Sequence, residues 1–209
     1  MKQINFKLIA VGLLIFGLTS IAEARNSLWT MNSGAYGFNF VQPAAGNKYC
    51  SNADSPLTDA EIDDILRVHN EARQSVSTAP LKWNCALADF AQKWANKDTN
   101  EHSPEKDRQN IIAGSLAGEN LATDSETNQT VQKLIQGWID EKAFLGADAK
   151  TCAPGKVCGH YTQMVWRATT EIGCGVFRKS NTMGAEFKGQ AAYFVCAYNP
   201  AGNDGSAAY

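Results

Sequence analysis

Apolar residues recur at helical spacing in three stretches between residues 58 and 143, and then in two nearly unbroken runs closer to the end of the chain. Ile62, Ile65, Leu66 and His69 lie at i, i+3, i+4 and i+7, which is one face of a helix over about 59–74. Thr58-Asp59-Ala60-Glu61 opens it as a capping box, with the threonine accepting from the helix amides and the glutamate reaching back. Pro80-Leu81-Lys82-Trp83 reads as an extended link. A second helix starts at Asn84 and gathers Leu87, Phe90, Ala91 and Trp94 on one side, and a third, over roughly 128–143, carries the stripe Val131, Leu134, Ile135 and Trp138. The late runs, Ile172–Phe177 and Ala191–Tyr198, are strand-like, and the polar, glycine-bearing Ser180–Gly189 between them suits a hairpin loop. Helices first and strands later, without regular alternation, predict an α+β domain.

The flanks differ from this body. Lys2 and Lys7 precede an apolar core, Leu8–Leu18, and Ala22-Glu23-Ala24 follows as a small-x-small site, so residues 1–24 are expected to be a secretory signal. The apolar core is too short for a resident membrane span. Residues 25–57 alternate Asn, Gly, Ser and aromatics without period and are expected to form an irregular extension. The chain after Asn199 is rich in Gly, Asn and Ala and reads as coil, with 204–209 as a tail.

Charge narrows the classes of partner. Removing Lys2, Lys7 and Glu23 from 19 basic and 21 acidic residues leaves 17 and 20, a net of −3 for residues 25–209. That balance offers no footprint for nucleic acid, and no second apolar run is long enough to span a membrane once the signal is gone. Six cysteines in a secreted chain point to three disulfides, for which 15 connectivities exist. Cys152 and Cys158 flank the turn Ala153-Pro154-Gly155. Cys174 and Cys196 fall opposite each other if the two strand-like runs pair about residue 185. Cys50 and Cys85 are then left to each other.

The most distinctive stretch is Cys158-Gly-His-Tyr-Thr-Gln-Met-Val-Trp166, continuing through Gly173-Cys174-Gly175. It resembles the signature of the CAP superfamily, the cysteine-rich secretory, antigen 5 and pathogenesis-related proteins. The resemblance covers about residues 58–203. It implies a three-layer α-β-α sandwich with a central antiparallel sheet. It also implies a cleft of four residues: His102 in Glu-His-Ser-Pro, Glu119 in Gly-Glu-Asn, Glu141 after the tryptophan of the third helix, and His160 in Gly-His-Tyr-Thr-Gln. In such proteins the two histidines can hold a divalent metal, often zinc, so His102 and His160 are the candidate ligands and the glutamates stand close by.

The chemistry of these residue types agrees. Neutral imidazole is a good zinc ligand, and a carboxylate orients the ring by accepting its second N–H. Two firm ligands leave coordination positions open, so binding of zinc or another divalent metal is expected to be weak. Spacing alone equally suits a satisfied polar network, because ligands this far apart form no local motif. His69, on the first helix, reads as structural. Ser103 beside His102 sits in no nucleophile elbow, and all six cysteines are committed to disulfides. The reading is therefore an extracellular (or, in a bacterium, periplasmic) protein that acts by binding rather than turnover, with a lipid or small apolar ligand among its candidates. The alternatives are a metal-dependent hydrolase or peptidase and a protein-recognising effector that uses the aromatic arm of 25–49. The family resemblance points to the loop 144–158 before His160 as a lipid-binding element. Here it holds one aromatic, Phe144, and the Cys152–Cys158 bridge would stiffen it. Trp83, Trp94, Trp138 and Trp166 read as core, and Asn128-Gln129-Thr130 is a glycosylation sequon.

Overall fold

The structure is a computed structural model and describes residues 48–50, 55–126, 129–178 and 192–209. The expected signal, residues 25–47 of the aromatic arm, Asn128 of the sequon and the Ser180–Gly189 loop lie outside the described residues.

Helix α1 spans Asp59–Gln74, and its capping box is complete: the Glu61 amide donates to Thr58 Oγ1 at 3.2 Å and the Thr58 amide to Glu61 Oε2 at 2.9 Å. A two-residue strand β1, Lys82–Trp83, leads to α2, Cys85–Ala95, where Asn84 Oδ1 accepts from the amides of Ala86 and Leu87. The polar segment that follows contains a short helix α3, Glu105–Arg108, and then a strand β2, Gly118–Asp124, that the apolar pattern does not announce. The third expected helix is α4, Val131–Asp140, capped by Thr130. It tightens into a 3₁₀ turn over Glu141–Phe144. Three residues per turn in place of 3.6 breaks the phase of the stripe, so Lys142, which α-helical periodicity puts near the centre of that stripe, is exposed. Residues 159–165, to which the apolar pattern assigns no element, form helix α5, Gly159–Val165. Strands β3, Glu171–Arg178, and β4, Ala192–Asn199, complete the fold.

The sheet order is β1-β3-β4-β2. β4 is central and antiparallel to both neighbours, while β1 joins the edge of β3 in parallel through Lys82↔Glu171 and Trp83↔Ile172. The sheet is thus mixed, antiparallel except at that edge. Every residue of β4 is buried, because helices cover both faces of the sheet and no face is left for polar alternation. Leu87, Ala91 and Trp94 of α2 pack on Tyr193, Val195 and Ala197. The opposite face, with Ile172, Val176, Phe194 and Tyr198, meets α1, α4 and α5. The layers are α-β-α.

Helix α2 approaches β3 with no room for side chains between the backbones. A Cβ at Gly173 would lie 2.1 Å from Ala88 N, and one at Gly175 would lie 2.3 Å from Gln92 Cα. Gln92 uses the closeness to bond both backbone groups of Val176, at 3.0 Å each. All three disulfides form as paired above: Cys50–Cys85, Cys152–Cys158 and Cys174–Cys196, the last between directly opposed residues of β3 and β4. Arg73 is buried, and its guanidinium donates to the carbonyls of Ala79, Met164, Trp166 and Thr169, gathering the end of α5 onto α1. Desolvation lowers its pKa to about 10, which leaves it charged at neutral pH. The tail is coil but not loose. Ala208 is fully buried, accepts from the Arg167 amide at 2.7 Å and donates to Ala149 O at 2.9 Å.

Candidate functional site

The four candidate residues form two histidine–carboxylate pairs. His102 lies on the segment after α2, which is held because Trp94 Nε1 and the Tyr193 hydroxyl both donate to Glu101 O at 2.9 Å. His102 Nδ1 is 2.8 Å from Glu119 Oε1. Ser103 adds its amide, 2.8 Å from the same oxygen, and its hydroxyl, 2.6 Å from Oε2. Glu119 thus accepts three hydrogen bonds, and its side chain is fully buried while that of His102 is 58% exposed. Arg108 clips the segment from below by donating to Ala117 O and Ser103 O. Ser103 donates its hydroxyl proton to Glu119 and is itself buried, which makes it part of the clamp on that carboxylate.

The second pair joins the 3₁₀ turn to α5. Glu141 Oε1 is 2.5 Å from His160 Nδ1, and its Oε2 accepts from the amides of His160 and Tyr161 at 2.9 and 3.1 Å. Cys158 at the N-cap of α5 makes no side-chain cap bond. Glu141 supplies that cap from a distant element, placing a carboxylate where helix amides are unsatisfied. The His160 ring also stacks on Trp138, with centroids 6.0 Å apart and planes at 14°. Trp138 in turn lies on Phe194 and donates to Leu121 O at 3.0 Å. Read from sequence as core, Trp138 is also the floor of the site.

In both pairs Nδ1 faces a group that only accepts. In the neutral ring Nδ1 then carries the proton and Nε2 presents its lone pair, the arrangement that a carboxylate imposes on metal-binding histidines. Among the described residues no group of three or more His, Cys, Asp or Glu is placed to share one metal ion. Each imidazole is of the residue type that a weakly held divalent metal takes as a ligand. Asn120, next to Glu119, reaches the second pair: its Nδ2 is 3.0 Å from His160 O. Nothing in its sequence context marks it beyond its place in Gly-Glu-Asn.

His69 takes no part. It is fully buried between Ile65 O, 2.7 Å from Nδ1, and the Tyr198 hydroxyl, 2.9 Å from Nε2. Desolvation depresses its pKa to about 4. Between α1 and α4 lies a groove of about 450 Å³ lined by Val68, Ala72, Ile139 and Tyr161 and by polar side chains that include Lys142. The Tyr161 hydroxyl is buried without a hydrogen-bond partner among the described residues. The loop 144–158 is closed by Cys152–Cys158 and by backbone bonds from Gly146 to Thr151 O and from Ala153 to Phe144 O. Its exposed Phe144 lies under Lys156 Nζ at 4.7 Å. No helix among the described residues is long and apolar enough to cross a membrane.

The α-β-α sandwich, with five α-helices and four strands among the described residues, leaves the class open; sequence comparison assigns it. The chain belongs to the CAP family, the cysteine-rich secretory protein family, whose model matches residues 66–198. It is 37% identical over 141 residues to pathogenesis-related protein 1A of Nicotiana tabacum, covering 67% of this chain and 75% of the relative. It is 35% identical over 146 residues to cysteine-rich secretory protein 2 of Homo sapiens, covering 68% of this chain and 56% of that one. Among solved structures it resembles Na-ASP-1 (TM-score 0.65, 27% identity, 78% of this chain and 44% of the other). It also resembles NaASP2 crystallised with Zn²⁺ (TM-score 0.60, 26% identity, 75% and 88%).

Proposed function

We propose that this is a secreted binding protein whose His102 and His160 take up a divalent metal, zinc foremost, and that it acts without turnover. The observation that carries the metal reading is the pairing of each Nδ1 with a carboxylate, which leaves both Nε2 atoms as ligands. A structural neighbour solved with Zn²⁺ supports it. Secretion is supported by the three disulfides, which belong to an oxidising compartment, and by the kinship with secretory and pathogenesis-related proteins. When bound, the metal supplies a Lewis-acidic centre with open positions for a ligand's oxygen or nitrogen. Glu119 and Glu141 hold the rings in place, and Trp138 closes one side against water. Each carboxylate already accepts three hydrogen bonds, which fits a positioning role for both.

Zinc titration calorimetry on the chain and on His102→Ala/His160→Ala tests the reading. Binding that vanishes in the double variant supports it; equal heats, or none in either, sink it. Bound metal should also leave in acid, because imidazole must be neutral to ligate.

A second occupant is favoured by the groove between α1 and α4, where Val68, Ala72, Ile139 and Tyr161 lie among polar side chains, a mixture that suits a small amphipathic or lipid ligand. Saturable uptake of a fluorescent fatty acid, untouched by chelator and lost in Ala72→Trp, supports that reading; uptake indifferent to Ala72→Trp ends it.

A further inference from the structure

Glu119 and Asn120 are neighbours on an edge strand, and successive residues of a strand face opposite sides of the sheet. Glu119 stands in register with Ala197, on the face covered by α2; Asn120 stands in register with Cys196, on the face covered by α1, α4 and α5. The His102–Glu119 pair is therefore held from one face and the His160–Glu141 pair from the other. The dipeptide Glu119–Asn120 is the piece of backbone common to both.

The demands on residue 120 follow from the hydrogen bonds around it. His69 Nδ1 is 2.7 Å from Ile65 O, a carbonyl that only accepts, so Nδ1 carries the proton and Nε2 of the neutral ring is bare. Tyr198 then gives its single proton to Nε2, 2.9 Å away, and has only lone pairs left for Asn120 Nδ2 at 3.2 Å. The carbonyl of His160, 3.0 Å from the same nitrogen, also only accepts. Position 120 must supply two protons from one buried atom. A side-chain amide does this. A hydroxyl supplies one proton, a carboxylate none, and glutamine carries its amide one methylene too far.

We propose that Asn120 is the positioning residue that registers the two histidines: its amide fixes the first turn of α5, and with it the His160 ring, to the strand whose Glu119 fixes His102. The proposal rests on the reading of the imidazoles as one shared site, but its first readout needs no metal.

The experiment compares the full chain with Asn120→Ala, Asn120→Ser and Tyr198→Phe. Imidazole ¹⁵N shifts are recorded without metal, and zinc affinity is measured by titration. In Asn120→Ala the His160 nitrogens should shift and zinc affinity should fall about 10–100-fold, the usual loss for an outer-shell partner, while the His102 nitrogens stay in place. Asn120→Ser, with one donor, should recover part of both. Tyr198→Phe keeps the amide-to-His160 bond and should move His160 less than Asn120→Ala does. Unchanged His160 shifts and affinity in a folded Asn120→Ala overturn the proposal. So does a Tyr198→Phe variant that disturbs His160 as much as Asn120→Ala, since that would mark general loosening of the core. If Asn120→Ala does not fold, Asn120→Ser against Tyr198→Phe decides in the same terms. If the wild-type chain takes up no zinc, the metal reading falls and the nitrogen shifts alone judge Asn120.

Discussion

His69 makes a quantitative demand on the stability of this protein in acid. Its ring is fully buried, and desolvation, with a smaller contribution from the nearby Arg73 charge, brings its pKa to about 4 against the hydrogen bond to Ile65 O. In the unfolded chain the same ring titrates near about 6.5. Above that pH both states hold neutral imidazole and the group costs nothing. As pH falls from about 6.5 towards 4, the unfolded chain takes up a proton that the folded one refuses, so stability is lost across that window. Linkage puts the loss at about 2 kcal/mol by pH 5 and about 3 kcal/mol once both states are protonated. Urea unfolding of the oxidised chain at pH 7.5 and 5 measures this. His69→Gln should start less stable at pH 7.5, because the Tyr198 hydroxyl loses a well-placed acceptor. Between the two pH values, however, it should lose about 2 kcal/mol less than the wild type. Carboxylates titrate alike in both proteins and cancel from the comparison. Equal losses in the two would refute the buried neutral histidine as a source of acid sensitivity.

Two further outcomes follow from the sheet. Gly175→Ala puts a methyl 2.3 Å from the backbone of α2; it should cost about 1–3 kcal/mol, the range for overpacking, seen as a lower urea midpoint at unchanged m-value. Replacing Cys174 and Cys196 together by alanine opens a bridge with a sequence separation of 22. It should cost about 3 kcal/mol in thermal or urea unfolding by the chain-entropy relation, and a loss below about 1 kcal/mol would mean that the β3/β4 pairing alone constrains the chain.

Helix α1 could be read to the residue because its signals are local: a capping box followed by one apolar stripe. The same is true of the Cys152–Cys158 turn and of the opposed Cys174 and Cys196, which periodicity places across a hairpin. Strand β2 escaped the pattern because its first buried positions are Gly118, Glu119 and Asn120, polar or without a side chain, whose burial is made tolerable by partners 16 to 78 residues away. Helix α5 escaped it because its N-terminal cap is Glu141, a residue no local rule connects to it. His102, Glu119, Glu141 and His160 were legible through motif likeness alone. Asn120 and the second role of Trp138 were hidden, since an amide that must donate twice and an indole that carries an imidazole look like any buried Asn and Trp until the opposing elements are in place.

The match to the family model ends where the packing does not. Its limits, 66 and 198, cut α1 in mid-helix and stop one residue short of the end of β4. Leu57 and Cys50 on one side and Ala208 on the other are core residues outside them, and Ala208 is bonded to both Arg167 and Ala149. Excision at those limits would remove the capping box, one disulfide and the plug beneath the loop that carries Cys152. Any chimera or minimal domain made from this protein should therefore be cut by burial, keeping at least 48–209, and a family-length fragment would be an open shell around an incomplete interior.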